Sequence, residues 1–188
     1  GEPLINAPVE NLQHIAFSLR TGVNDTQFHR SELTKYTREA LQRMAAAHPG
    51  YYKHFIDIIP KYSHAIPYGP TTPYLAQHQR TALPKSVHWE DFPVDGLYRK
   101  GFYNLVPLTR PQGTDRIYYE EEIKDNTVDL KIRSVKYQDS QVSSYYTSFR
   151  LVLLYDKIYT DATGGKLRVY LSPELVDLSR PVRIRVNG

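Results

Sequence analysis

The first 80 residues alternate between the two hydrophobic periods that distinguish strands from helices. Short apolar runs at 14–19 and 52–59 are typical of buried strands that end in loops. Between them, residues 31–47 place apolar side chains at helical spacing along one face. Residues 72–80 predict a short second helix, with a proline in the first turn, where helices tolerate it. The order strand, helix, strand, helix predicts an α/β arrangement with a parallel sheet.

From residue 85 onwards the pattern contains only strands and turns. Val128, Leu130 and Ile132 alternate with charged residues, which is the period of a strand with one buried face. The sequence therefore predicts an α/β region at 1–84, followed by an all-β region at 85–188 that forms a small antiparallel β-sandwich, truncated at its end. After a connecting strand near 86–89, the predicted strands of the second region are 101–108, 116–123, 127–137, 145–155, 166–171 and 181–186.

Composition narrows the class of protein without naming a function. The net charge of +4 is spread over the chain without a run of like charges, so we expect neither a nucleic-acid nor a membrane partner. No apolar stretch approaches the ~20 residues of a membrane span. The chain has no cysteine, which excludes disulfides and cysteine nucleophiles, and the histidines lack the spacing of metal ligands. We expect no metal and no organic cofactor.

Two polar side chains follow the two predicted strands of the first region. Asp25 comes after the first strand and His64 after the second. Ligand sites in α/β sheets gather at the carboxyl ends of strands, and a serine hydrolase needs an acid that orients a histidine. The order acid, then histidine is the order of these groups in the α/β-hydrolases. Two alternatives stay open at this point: Asp25 can cap the following helix, and His64 can be an ordinary loop histidine.

The residues around both candidates resemble a known family. Thr-Gly-Val-Asn-Asp25 resembles the Gly-x-x-Asp segment that carries the triad acid of α/β-hydrolases, and Pro-Lys-Tyr-Ser-His64 resembles their histidine loop. The tract 72–85 resembles the closing helix and Pro-Lys exit of exported bacterial esterases, of the prolyl-oligopeptidase-like and dienelactone-hydrolase-like kinds. The resemblance covers roughly residues 11–90. It implies that 1–84 is the last part of an α/β-hydrolase sheet, with Asp25 and His64 as catalytic residues.

The resemblance also sets expectations about activity. It implies a serine hydrolase that acts on ester or amide bonds of a small ester or peptide, in a periplasmic or secreted protein. The sequence departs from the family in two ways: Ser63 stands where glycine usually precedes the histidine, and no Gly-x-Ser-x-Gly occurs. We therefore expect the serine to lie upstream of residue 1 and the chain by itself to be inactive.

The ends and the exposed sheet lead to an expectation about partners. The chain starts without methionine and closes on Asn187-Gly188, a hairpin signal after an alternating strand, which favours a fragment of a longer protein. Two parallel strands with two helices cannot cover a sheet on both faces. We expect an N-terminal hydrolase half that carries the serine, a dimer mate that covers the exposed strands, or poor order before residue 85.

The rival interpretation is a non-catalytic module that binds a carbohydrate or a partner subunit through residues 101–188. Its support is an aromatic platform, because rows of tyrosines can bind sugars, although tyrosines also fill sheet cores. The acidic run 120–122 is read as a solvated sheet edge rather than a pair of catalytic carboxylates. The platform would consist of Tyr118, Tyr119, Tyr145 and Tyr146.

Overall fold

The chain divides into two compact units, which we treat separately. The computed structural model describes residues 8–145 and 149–188, with side chains described except at 141 and 143–153. The first unit contains the residues up to Arg80 together with 137–156, and the second contains 81–136 and 157–188. The predicted division at residue 84 stays a prediction.

The first unit contains one β–α–β element. Strand β1 (Phe17–Gly22) pairs in parallel with strand β2 (His54–Ile59), in a register that matches Phe17 with His54. Helix α1 (Arg30–Ala47) lies between them in the chain, and a short helix α2 (Thr71–Ala76) follows. A single 3-10 turn (Val9–Leu12) precedes β1.

Helix α1 forms because its apolar residues recur at helical spacing and face the parallel pair of strands. Leu41 is fully buried, and Ala40 is 5 % exposed. They pack with Val9 and with Tyr52, which is also fully buried just before β2. This small core fixes α1 and the start of β2 relative to each other.

The second unit is built from antiparallel strands. The main sheet has the order β3-β5-β6-β7, with β9 pairing with β6 in parallel, and β4 pairs with β8 in a separate two-stranded sheet. The strands are β3 (Ser86–Asp91), β4 (Leu105–Thr109), β5 (Ile117–Lys124), β6 (Thr127–Tyr145), β7 (Phe149–Asp161), β8 (Lys166–Val169) and β9 (Arg183–Val186). Residues 137–145 of β6 and 149–156 of β7 belong to the first unit.

The core of this unit follows from the alternation of side chains along its strands. The inward positions of β3 are Val87 and Trp89, both fully buried. Trp89 stacks on Tyr119 of β5, with ring centroids 5.0 Å apart, and on Phe102, at 5.5 Å. The remaining buried members are Leu105, Ile117, Ile123, Val128, Leu130, Leu175 and Val176.

The predicted fold class is wrong. The structure is mostly β, with 38% strand and 18% helix, and no α/β-hydrolase pattern is evident. Within the described residues, the parallel sheet has two strands, and α2, at six residues, is too short to cover a sheet face. The predicted sandwich is also incorrect, because the sheet formed by β4 and β8 has only two strands. Local hydrophobic periods specified single elements but not the number of strands that pair with them.

Candidate functional site

The loops after β1 and β2 meet at the same edge of the parallel pair. The backbone N–H of Val23 donates to the Ile59 carbonyl at 3.0 Å, which prolongs the pairing by one residue. The N–H of Asn24 then donates to the Tyr62 carbonyl at 2.9 Å. These two bonds hold the first loop against the second, one residue before Asp25 and two residues before His64.

Gly22 is required for this close approach. A Cβ atom at this position would lie 2.2 Å from the backbone oxygen of Ser63 and 2.4 Å from that of Tyr62. Both distances are far below van der Waals contact, and neither atom belongs to a flexible side chain. The glycine of the Gly-x-x-Asp segment is therefore the residue that lets the histidine loop lie against the end of β1.

The structure brings Asp25 and His64 together. Nδ1 of His64 lies 3.1 Å from Oδ2 of Asp25, within hydrogen-bond range. The Asp25 side chain is 7% exposed, whereas the His64 side chain is 77% exposed. The second ring nitrogen of His64, Nε2, has no hydrogen-bond partner among the described residues. A buried carboxylate thus contacts one side of an imidazole that is open to solvent.

Arg30 occupies the other oxygen of the carboxylate. Its Nη1 donates to Oδ1 of Asp25 at 3.1 Å, and its guanidinium lies over the Phe28 ring, 5.2 Å from the centroid. From the sequence alone, a surface arginine at the start of the helix is the simpler interpretation of this position. No sequence signal identifies Arg30 as a partner, because its bond to Asp25 depends on the turn that joins β1 to α1.

Electrostatics keep Asp25 ionised. Burial alone would raise the pKa of Asp25, but the hydrogen bonds from His64 and Arg30, together with their charges, lower the pKa below its usual value. The capping alternative does not describe this carboxylate, since α1 begins after His29 and has no side-chain cap bond. Asp25 is therefore an anion that can accept a hydrogen bond from a ring N–H of His64.

A cavity of about 390 Å³ lies beside the pair. Its walls come from β1, from one face of α1 and from the loop after β2. The hydroxyls of Thr34 and Thr37 each donate to a helix carbonyl, at 2.9 and 3.0 Å. The lining residues are Leu19, Arg20, Thr21, Asp25, Arg30, Leu33, Thr34, Thr37, His64, Ile66 and Tyr68.

The described residues place no nucleophile on His64. The hydroxyl of Ser63 lies 3.5 Å from the backbone oxygen of Asn24, at the limit of a hydrogen bond. Within the described part of the chain, no three histidine, aspartate or glutamate side chains come together as a possible metal site. Neither described helix has the length and hydropathy of a membrane-spanning segment.

Two of the four tyrosines of the proposed platform have described side chains, and neither lies on the surface. Tyr118 is 7% exposed and Tyr119 is 2% exposed, so neither offers an open ring face to a sugar. Tyr146 lies outside the described residues, as does the side chain of Tyr145. Burial overrides the pattern here, because aromatic residues on strands pack well in sheet cores.

The acidic run is also placed differently from the prediction. Glu120 and Glu122 lie on the outer face of β5, but Glu121 is fully buried on the inner face, between Tyr119 and Ile123 in sequence. Its Oε1 accepts a hydrogen bond from Nδ2 of Asn104 at 2.9 Å, and its Oε2 has no partner among the described residues. The alternation of side chains correctly put Glu121 on the face of β5 opposite to Glu120 and Glu122. The prediction that this face is solvated was wrong.

Comparison with protein-family models, curated protein sequences and solved structures found no match for this chain. The similarity to hydrolase loops therefore rests on the residues around Asp25 and His64 alone.

Proposed function

We propose that Asp25 and His64 are the acid and the base of a hydrolytic site that cleaves ester or amide bonds by nucleophilic attack. The observation that carries the proposal is the contact between Nδ1 of His64 and Oδ2 of Asp25 at the edge where both strands end. A carboxylate on Nδ1 leaves Nε2 as the proton acceptor, which is the arrangement that a serine nucleophile needs.

Each residue has a defined role in this chemistry. Nε2 of His64 takes the proton of the attacking hydroxyl and later gives it to the leaving group. Asp25 holds the imidazole in the Nδ1–H tautomer and stabilises the imidazolium that forms. Arg30 acts as a positioning residue, because its bond to Oδ1 keeps Oδ2 directed at His64.

We propose further that the nucleophile is a serine from a segment outside these 188 residues. Two observations support this part of the proposal: the sequence contains no Gly-x-Ser-x-Gly, and Nε2 of His64 has no hydrogen-bond partner among the described residues. The acyl-enzyme would form on that serine, and water activated by His64 would release it. The 188-residue chain alone is expected to hydrolyse 4-nitrophenyl acetate no faster than free imidazole at the same concentration.

The test uses a protein that joins this chain to its serine-bearing segment, or the two pieces mixed. His64→Gln should lower kcat for 4-nitrophenyl acetate by ~1,000-fold or more, because the proton acceptor is lost. His48→Gln, at the end of α1 and away from the cavity, is the matched control and should keep the activity. Full activity of the His64→Gln protein would disprove the proposal.

The rival binding-module function has no observation that favours it. Its aromatic platform is buried in part, and the second unit offers no described row of exposed tyrosines in its place.

A further inference from the structure

We propose that the cavity beside His64 receives an uncharged, mainly apolar group of the substrate, so that the site is selective for small neutral esters or amides. This inference rests on the proposed function for the identity of the reacting bond. The binding preference itself follows from the lining of the cavity and can be measured without any hydrolysis.

The larger part of the accessible cavity lining is apolar. Leu19 of β1 and Leu33 of α1 face it from two elements, and Ile66 and Tyr68 face it from the loop after β2. The floor holds Thr34 and Thr37, at 4% and 3% exposure, whose hydroxyl protons are already donated to helix carbonyls. The surface left for a ligand is thus mostly methyl, methylene and ring carbon.

Each charged group of the lining already has a partner of opposite charge. Arg20 donates to Asp57 through Nε and Nη2, at 3.3 and 2.9 Å, and its Nη1 donates to the Pro67 carbonyl. Arg30 donates to Asp25. A cationic group on the substrate would meet two guanidiniums. An anionic group would meet the same guanidiniums, whose charges Asp57 and Asp25 already neutralise. Either charge would also lose water without gaining a dedicated counter-ion.

The size of the cavity limits the substrate. At about 390 Å³ it lies near the lower end of the range for small-molecule sites. A ring or a short branched chain fits, together with the carbonyl that His64 must approach. Because His64 stands in the lining itself, the reacting bond would lie at the mouth, with the apolar group inside.

The experiment compares three ligands of one shape and different charge. Phenylacetamide, phenylacetate and phenethylammonium are titrated into the 188-residue chain, and the NMR signals of the His64 ring and the Thr34 amide are followed. We expect phenylacetamide to bind about tenfold more tightly than either charged ligand, because desolvating a charge without a partner is costly. Equal or tighter binding of a charged ligand, or no binding of phenylacetamide, would overturn the proposal.

Variants locate the binding in the cavity. Leu33→Ala and Ile66→Ala should each weaken phenylacetamide binding by about tenfold, as expected for loss of several apolar carbons from a pocket. Val23→Ala is the control, because Val23 is 45% exposed near the same loop and does not line the cavity. A control variant that weakens binding as much as Leu33→Ala would place the ligand elsewhere and overturn the proposal.

A newly introduced charge gives a result that unfolding cannot mimic. Ile66 lies on an open loop, so Ile66→Asp is expected to fold. The new carboxylate should shift the preference from phenylacetamide towards phenethylammonium, and an unchanged ligand order would count against the cavity.

The two proposals fail in different ways. Should phenylacetamide bind while His64→Gln leaves hydrolysis intact in the serine-bearing protein, the catalytic proposal is wrong and the cavity preference stands. Should hydrolysis require His64 while phenylacetamide does not bind, only the cavity proposal is wrong.

Discussion

Glu121 should make the second unit less stable as the pH rises from acid to neutral. Its side chain is fully buried, and burial raises the pKa from 4.5 to about 7; the charge of Glu122 adds to this rise and the hydrogen bond from Asn104 opposes it. In the unfolded chain the carboxyl ionises near its ordinary pKa. The folded unit therefore keeps a proton that the unfolded chain releases.

The sign and the size of the effect follow from this difference. Below about pH 4.5 Glu121 is protonated in both the folded and the unfolded state, so its raised pKa does not change the stability. Between about pH 4.5 and 7 only the unfolded state ionises, so stability falls; above 7 it levels off. At 1.36 kcal/mol for each pKa unit, the loss amounts to about 3 kcal/mol.

Glu121→Gln should remove this dependence. A glutamine can accept the same bond from Asn104 through its oxygen, and its NH₂ offers a donor for the buried Oδ1 of Asn104, which has no partner among the described residues. The variant should match the parent near pH 4.5 and exceed it by about 3 kcal/mol above pH 7.

Urea unfolding followed by tryptophan fluorescence is the appropriate assay. Trp89 is the one tryptophan of the chain and lies fully buried in the same core, so its signal reports this unit. Glu120→Gln, on the outer face of the same strand, serves as the control and should keep the pH dependence of the parent. An identical slope for the parent and Glu121→Gln between pH 4.5 and 7 would refute the reasoning.

Three further substitutions test the packing that supports the site and the second unit. Gly22→Ala should force the two loops apart, because its Cβ would lie 2.2 Å from the backbone oxygen of Ser63. NMR should show that the contact between His64 and Asp25 is lost, and an unchanged His64 signal would contradict this. Asn126→Gly should cost about 2 kcal/mol of unfolding free energy, because the Asn126 side chain makes three hydrogen bonds to backbone groups; a urea midpoint equal to that of the parent would contradict it. Leu41→Ala should lower the free energy of unfolding by about 3 kcal/mol, because Leu41 is fully buried. Leu75→Ala is the control and should lower it much less, since Leu75 is 39% exposed. Unfolding followed by circular dichroism measures both, and similar losses would contradict the prediction.

The sequence was sufficient for the local elements of the first unit. The period of apolar residues predicted helix 31–47, and α1 is found at Arg30–Ala47. It predicted a strand at 52–59, and β2 is found at His54–Ile59. The first strand was placed three residues too early, because the apolar run at 14–19 begins in the segment before β1. Periodicity locates such elements, since it reflects the face that they bury.

The sequence was insufficient for the architecture. The pattern of residues 11–80 does not predict how many strands pair with β1. Hydrophobic periodicity is a local property of about 11–18 residues, whereas paired strands are farther apart in the sequence. The same limit explains Glu121. Alternation gave its face correctly, but whether that face is covered depends on Asn104 and on strands distant in sequence.

The candidate site was predictable in part. The position of Asp25 and His64 after consecutive strands was visible in the order of elements, and parallel pairing brings such positions to one edge. Arg30 was not predictable as a partner, since its bond to Asp25 depends on the turn that joins β1 to α1. The catalytic role of the pair stays a prediction.

The tautomer of His64 tests the central claim most directly. Nitrogen-15 NMR of the imidazole distinguishes the ring nitrogen that carries the proton. We predict that Nδ1 carries it in the neutral imidazole of the parent, and that Asp25→Asn, which keeps the shape but removes the anion, lowers the population of this tautomer. An Nε2–H imidazole in the parent, unchanged by Asp25→Asn, would contradict it.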